Sequence, residues 1–111
     1  PIGQNQGIQH PLAEKWMYLE SAWLMAMRAA WLYDNDKPCG AEANSAKFLG
    51  ARAGHDAAWQ AIMTHGGFGY AKEYHVERLF REVSITRLAP ITEQLMLSFI
   101  AEKVLDLPKS Y

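Results

Sequence analysis

Cysteine is nearly absent from this 111-residue sequence. The single Cys39 allows no disulfide within the chain, which suits a reducing compartment. It stands in the turn Lys37-Pro38-Cys39-Gly40 with neither a base nor an orienting group suggested beside it, so it reads as structural and not as a nucleophile. An excess of either charge is also missing. Eleven Lys and Arg against twelve Asp and Glu leave a net charge of −1, with no basic footprint for nucleic acid or an anionic membrane. No apolar run approaches the roughly 20 residues that span a bilayer, and no signal peptide is visible.

Metal-ligand spacings are lacking as well. The histidines are His10, His55, His65 and His75, but no glutamate is followed three residues later by a histidine, as a di-iron bundle would require. There is no His-Glu-x-x-His and no cysteine pair, so the histidines are expected to be exposed or satisfied within the fold. An initiating Met is absent too. The opening Pro1-Ile2-Gly3-Gln4-Asn5-Gln6 has no cap-like lead-in and predicts an excised or processed piece, one that has lost some natural contacts.

What remains is an ordinary globular composition, 50% hydrophobic and 21% charged, in a chain long enough for one domain at most. Apolar residues recur in steps of three and four at Ile8, Leu12, Trp16, Leu19, Trp23, Ala26, Ala30 and Tyr33, which predicts a long helix ending at Asp34. Pro11 belongs in a first helical turn, so this helix is expected to begin near Gln9 or His10. The turn Asp34 to Gly40 stops it. A second, alanine-rich helix is predicted from about Ala41 to His65, with Gly50 and Gly54 allowing close approach of a neighbour, and Gly66-Gly67-Phe68-Gly69 ends it. A shorter helix over Val76–Val83 carries Val76, Leu79, Phe80 and Val83 on one side. A last helix runs from Pro90 to about Leu105 and buries Ile91, Leu95, Phe99, Ile100 and Val104. No strand-period alternation and no repeat is present. The expected fold is all-α, a four-helix up-and-down bundle of two long and two shorter helices.

Trp16, Trp23 and Trp31 fall near one face of the first helix. Core packing is the expected role, with a subunit interface as the alternative. Taken alone, the glycine run 66–69 is a helix cap. It does not follow a strand, so it is no Rossmann fingerprint, although closely spaced glycines do expose backbone amides that admit a pyrophosphate. The residues beyond it are more specific. Gly66-Gly67-x-Gly69-Tyr70-x-x-Glu73, then Arg78 and Glu82, resembles the C-terminal motif of the acyl-CoA dehydrogenase family. That motif reads Gln-x-x-Gly-Gly-x-Gly-aromatic, followed by an acid, a base and an acid at these intervals, and it is matched everywhere but at its first position, where Met63 stands for Gln. Val76 to Glu82 resembles the helix after the family's glycines. Pro1-Ile2, Gln6 and Leu12-Ala13 resemble its first C-terminal helix, so the resemblance covers nearly the whole chain.

The resemblance implies that residues 1–111 are the helical C-terminal domain of a larger FAD-dependent oxidoreductase of fatty acid metabolism, one that dehydrogenates the α–β bond of an acyl-CoA. It implies FAD contacts at Met63, Gly66, Gly67, Thr92 and Gln94, with the Met63 contact weakened because a thioether cannot donate a hydrogen bond. Thr92 and Gln94 stand where the family has Thr and Gln or Glu, at the start of the last helix, where free N–H groups suit phosphate or ribose oxygens. Pro90 occupies the slot of the family's catalytic Glu, so no catalytic base is expected in this chain. Glu93 lies further along the helix and is expected on its solvated face. Either the base lies upstream of Pro1, as in some family members, or the protein is a non-catalytic subunit or a helical oligomerisation domain. The implied partners are acyl-CoA, an electron-transfer flavoprotein and further copies in a homotetramer, in a bacterial cytoplasm sooner than a mitochondrial matrix. The isolated piece is expected to be inactive.

Overall fold

The computed structural model describes residues 1–110. They form four α-helices: α1 (Gln6–Asp34), α2 (Gly40–His65), α3 (Val76–Ser84) and α4 (Glu93–Lys103). Short 3-10 turns fill Ile2–Gln4, Gly66–Gly69, Lys72–Tyr74 and Ile85–Arg87, and no strand occurs among the described residues. The all-α, four-helix expectation holds. No helix among the described residues is long and apolar enough to cross a membrane.

The first boundary differs from expectation, since α1 begins at Gln6 and carries Pro11 inside it. The Asn5 carbonyl accepts from the amides of Ile8 and Gln9, and the Gln9 side chain donates to the Gly3 carbonyl at 2.8 Å. These bonds build a turn upstream of the proline. Pro11 then removes only the donor to the Gly7 carbonyl, on an exposed residue that water can satisfy. At its far end α1 closes with a Schellman pair, the amide of Lys37 to Leu32 O and that of Asp36 to Tyr33 O. Asp36 takes the left-handed conformation there, at φ 53°.

The central element is α2, which packs against α1, α3 and α4 alike. Its contact surface is made of small residues. A Cβ on Gly40 would sit 2.8 Å from the Phe99 ring of α4, one on Gly54 would sit 3.1 Å from Val83 of α3, and Gly50 faces Ala22 of α1. The buried apolar residues are Ala22 and Ala29 on α1, Ala51 and Ala53 on α2, Val76 on α3 and Met96 on α4. Such a seam brings helix axes together but encloses little volume.

The large side chains are displaced outward, which overturns several expectations. Trp16, Trp23 and Trp31 are 62%, 58% and 55% exposed, so they are not the core of α1. Leu12 and Leu19 share that outer face, while α1 turns Ala22 and Ala29 toward α2. Leu79 of α3 is exposed, as are Ile91, Leu95 and Val104; α4 instead buries Met96 and half-buries Phe99 and Ile100. The radius of gyration, 16.9 Å, exceeds the roughly 13 Å of a compact domain this long. The assembly is therefore open, with broad apolar faces left uncovered.

The last helix also starts later than expected. Pro90 is not in its first turn, and the Ala89–Pro90 bond is cis. Thr92 is the N-cap, its hydroxyl accepting from the Leu95 amide, so the helix begins at Glu93 and ends at Lys103.

Gly69 tests the closeness of this packing. A Cβ there would lie 2.5 Å from the Ile62 carbonyl oxygen, whereas Gly67 has open space around it. In urea unfolding, Gly69→Ala is expected to destabilise by about 1–3 kcal/mol. Gly67→Ala should stay within about 0.5 kcal/mol of the parent.

Candidate functional site

The residues singled out in the sequence fall into two patches along α2. At its C-terminus the chain leaves the helix through Gly66, whose φ of 59° favours a residue without a Cβ. The Gly66 amide donates to the Met63 carbonyl. The turn Gly66–Gly69 that follows presents Gly66, Gly67 and Phe68 to solvent and seals Gly69 against the Ile62 backbone. Nothing lies within 4 Å of the position a Cβ would take on Gly66 or Gly67, so another molecule's backbone or a phosphate can approach the main chain here. Met63 is exposed on the preceding helical turn. Phe68 and Tyr74 stack at 4.9 Å beside the glycines, and the His65 ring lies 6.4 Å from Tyr74.

The second patch is a cleft of about 340 Å³ between α2, the end of α3 and the start of α4. It is lined by His55, Ser84, Arg87, Leu88, Thr92, Glu93 and Gln94, and so brings Thr92 and Gln94 together. His55, on α2, is packed against the Phe80 ring at 4.9 Å. The glycine turn does not line this cleft. His55 and Gly66 are eleven residues apart on one helix, which is roughly 16 Å along its axis. A single ligand reaching both patches on one chain would have to be extended.

Glu93 departs furthest from expectation. It is not on a solvated face but is 8% exposed. Arg87 grips it with Nε to Oε1 at 2.7 Å and Nη2 to Oε2 at 3.2 Å, and Arg52 of α2 adds Nη2 to Oε2 at 3.1 Å. The Arg87 hydrogen bond, and then that of Arg52, pulls the Glu93 carboxyl down from its ordinary 4.5 to about 2, against the opposing effect of burial. A carboxylate with both oxygens occupied and so low a proton affinity is a poor general base. Pro90 is exposed on the connecting segment and offers no ionisable group.

Arg52 and Arg87 were not singled out in the sequence, and His55 was considered there only as a metal ligand. Arg87 lies six residues before Glu93 across an irregular turn, and Arg52 lies 41 residues away. Neither spacing is a helical or strand period, so only the fold joins them.

Comparison with known proteins adds the following. Residues 1–105 match the family described as acyl-CoA dehydrogenase, C-terminal domain. The chain is 42% identical to acyl-CoA dehydrogenase FadE12 of Mycobacterium tuberculosis, an alignment covering 100% of this chain and 29% of that protein. It is 39% identical to the mitochondrial short-chain specific acyl-CoA dehydrogenase of Bos taurus, covering 100% of this chain and 26% of that protein. It is 36% identical to an acyl-CoA dehydrogenase of Bacillus subtilis, covering 95% of this chain and 28% of that protein. The chain thus spans less than a third of the length of these curated relatives.

The Glu93 network sets a pH dependence. A carboxyl whose pKa is lower in the folded state adds stability above its unfolded value and loses it as pH falls. Between pH 4.5 and about 2, the parent is expected to lose stability progressively through Glu93. In denaturant titrations across that window, Glu93→Gln should flatten the slope; an unchanged slope would contradict the ion pairs described.

Proposed function

The chain belongs to the acyl-CoA dehydrogenase family, and on that premise we propose that residues 1–111 are the helical C-terminal domain of an FAD-dependent enzyme that dehydrogenates the α–β bond of an acyl-CoA thioester. The observation that carries this reading is the exposed Gly66–Gly67 turn, set in the motif that runs on through Glu73, Arg78 and Glu82.

The residues present fit a dinucleotide in part. Gly66 and Gly67 leave the main chain open to a phosphate or its linked sugar. Thr92 caps α4 and Gln94 stands exposed in its first turn, where free amides and the helix dipole favour oxygens bearing negative charge. Met63 can offer apolar contact but no hydrogen-bond donor. When bound, FAD supplies the acceptor for the hydride that leaves the β carbon. This chain's contribution is to bind, orient and wall the site.

The base that removes the α proton lies outside these 111 residues in this reading. Pro90 stands in the slot of the family's glutamate, and Glu93 is bound by two arginines. The electron acceptor in this reading would be an electron-transfer flavoprotein, and the setting a bacterial cytoplasm. A second contribution is subunit association. The outward face of α1, with Trp16, Trp23 and Trp31 each more than half exposed, supports a helical oligomerisation role within a homotetramer.

The full-length protein tests this directly. It is expected to purify with flavin and to lose the flavin's visible absorbance when mixed with an acyl-CoA. Absence of flavin together with no bleaching by any acyl-CoA would overturn the reading. The isolated 111-residue domain should bind FAD weakly and catalyse nothing, so a tight complex with FAD would contradict the proposed division of labour. Trp16→Ser, Trp23→Ser and Trp31→Ser combined are expected to shift the full-length protein to a smaller species in sedimentation velocity. No shift would remove α1 from the association surface.

A further inference from the structure

The connection from α3 to α4 is tied to α2 by charge at both ends. On one side the Lys47 ammonium of α2 donates to the carbonyl oxygens of Thr86 and Ala89, the second at 3.1 Å. On the other side Glu93 opens α4 and is gripped by Arg87 within the connection and by Arg52 of α2. Within the span from Thr86 to Glu93 run Leu88 to Thr92, which include the proline at the family's glutamate slot and the threonine that caps α4.

One tie bonds the backbone and the other joins side chains. Lys47 is half-buried, and its two bonds go to main-chain oxygens, so it fixes the course of the chain where Thr86 and Ala89 leave the 3-10 turn. Glu93 presents one oxygen to Arg87 alone and the other to both arginines, which fixes the direction in which α4 sets out. Charge-assisted hydrogen bonds are stronger than neutral ones, and the bidentate pairing of Arg87 with Glu93 adds geometric specificity. A connection of this length without such ties would be expected to be among the more mobile parts of a domain.

We propose that Lys47, Arg52, Arg87 and Glu93 form a two-ended clamp that holds Leu88–Thr92 as a rigid, non-ionisable segment whose ends, Leu88 and Thr92, line the cleft, and that these four are positioning residues for the ligand site. The positioning part rests on the flavoenzyme reading above; the clamp itself does not. A fixed segment holds Thr92 and Gln94 in place for the ligand, while proton removal is left to a group elsewhere in the enzyme.

The test uses the full-length protein with Lys47→Met, Lys47→Arg and Glu93→Gln. Amide hydrogen exchange reads the clamp whether or not the protein turns out to be an acyl-CoA dehydrogenase. In Lys47→Met the amides of Leu88, Ala89, Ile91 and Thr92 are expected to exchange at least about tenfold faster, while those of central α2 stay as in the parent. Unchanged exchange at 88–92 overturns the clamp. Steady-state kinetics reads the positioning role. Lys47→Met should lower kcat for acyl-CoA by on the order of tenfold to a hundredfold with KM little altered, and Lys47→Arg, which keeps the donors, should recover most of the loss. An unchanged kcat in Lys47→Met overturns positioning, as does failure of Lys47→Arg to recover activity despite restored protection at 88–92. If the parent reduces no flavin, the functional reading fails and takes the positioning role with it, while the exchange data still decide the clamp. Glu93→Gln should raise exchange at 88–92 likewise; if it does not fold, the two Lys47 variants decide alone.

Discussion

Three helices approach a common neighbour closely because that neighbour carries almost no side-chain bulk where they meet. Gly40, Gly50 and Gly54 of α2 face Phe99, Ala22 and Val83, and Ala51 and Ala53 are buried in the same helix. A methyl group added at Gly40 or Gly54 would press on its partner at 2.8 or 3.1 Å, so the helix spacings are set by what is missing. Dense interiors leave no slack to absorb such an addition. The same economy restricts how much apolar surface the domain can hide by itself. The tryptophans and most leucines of α1 and α4 therefore remain at the surface.

The functional features sit where α2 meets irregular backbone. At its C-terminus the helix stops on a glycine at positive φ and leaves two open glycines, while Gly69 locks the following turn onto Ile62. Further back along the helix, Arg52 reaches the start of α4 and Lys47 reaches the connection before it. Binding features on turns that a rigid helix positions are the common arrangement in enzymes. One long helix thus sets both the glycine turn and the cleft, and an error in its packing would be felt in each.

Much of the helical pattern could be read from residue order, because 3.6-residue periodicity and Gly and Pro stops are local signals. The ends of α2, the helix over Val76 to Ser84 and the glycine turn came out close to expectation. The start of α1 did not, because side-chain and backbone bonds from Asn5 and Gln9 extend a helix past its proline. The facing of α1 was misjudged for a different reason. An apolar stripe shows which side avoids water in the finished assembly, and it does not say which partner covers it. The alanines that do contact α2 are too small to stand out in a hydropathy pattern. The burial of Glu93 is invisible in residue order because its arginine partners sit six and 41 residues away, and only tertiary structure brings them together. Met63 and Pro90 stood out as departures from the family pattern, and both are exposed beside the patches in question.

The account turns on whether the open glycine turn meets a dinucleotide. A structure of the full-length protein with FAD bound measures this most directly. The prediction is that main-chain atoms of Gly66 and Gly67 lie within hydrogen-bonding distance of the cofactor, and that a carboxylate from outside residues 1–111 faces the position of the substrate α carbon. Flavin bound away from these glycines, or the turn covered by another protein segment, would contradict it.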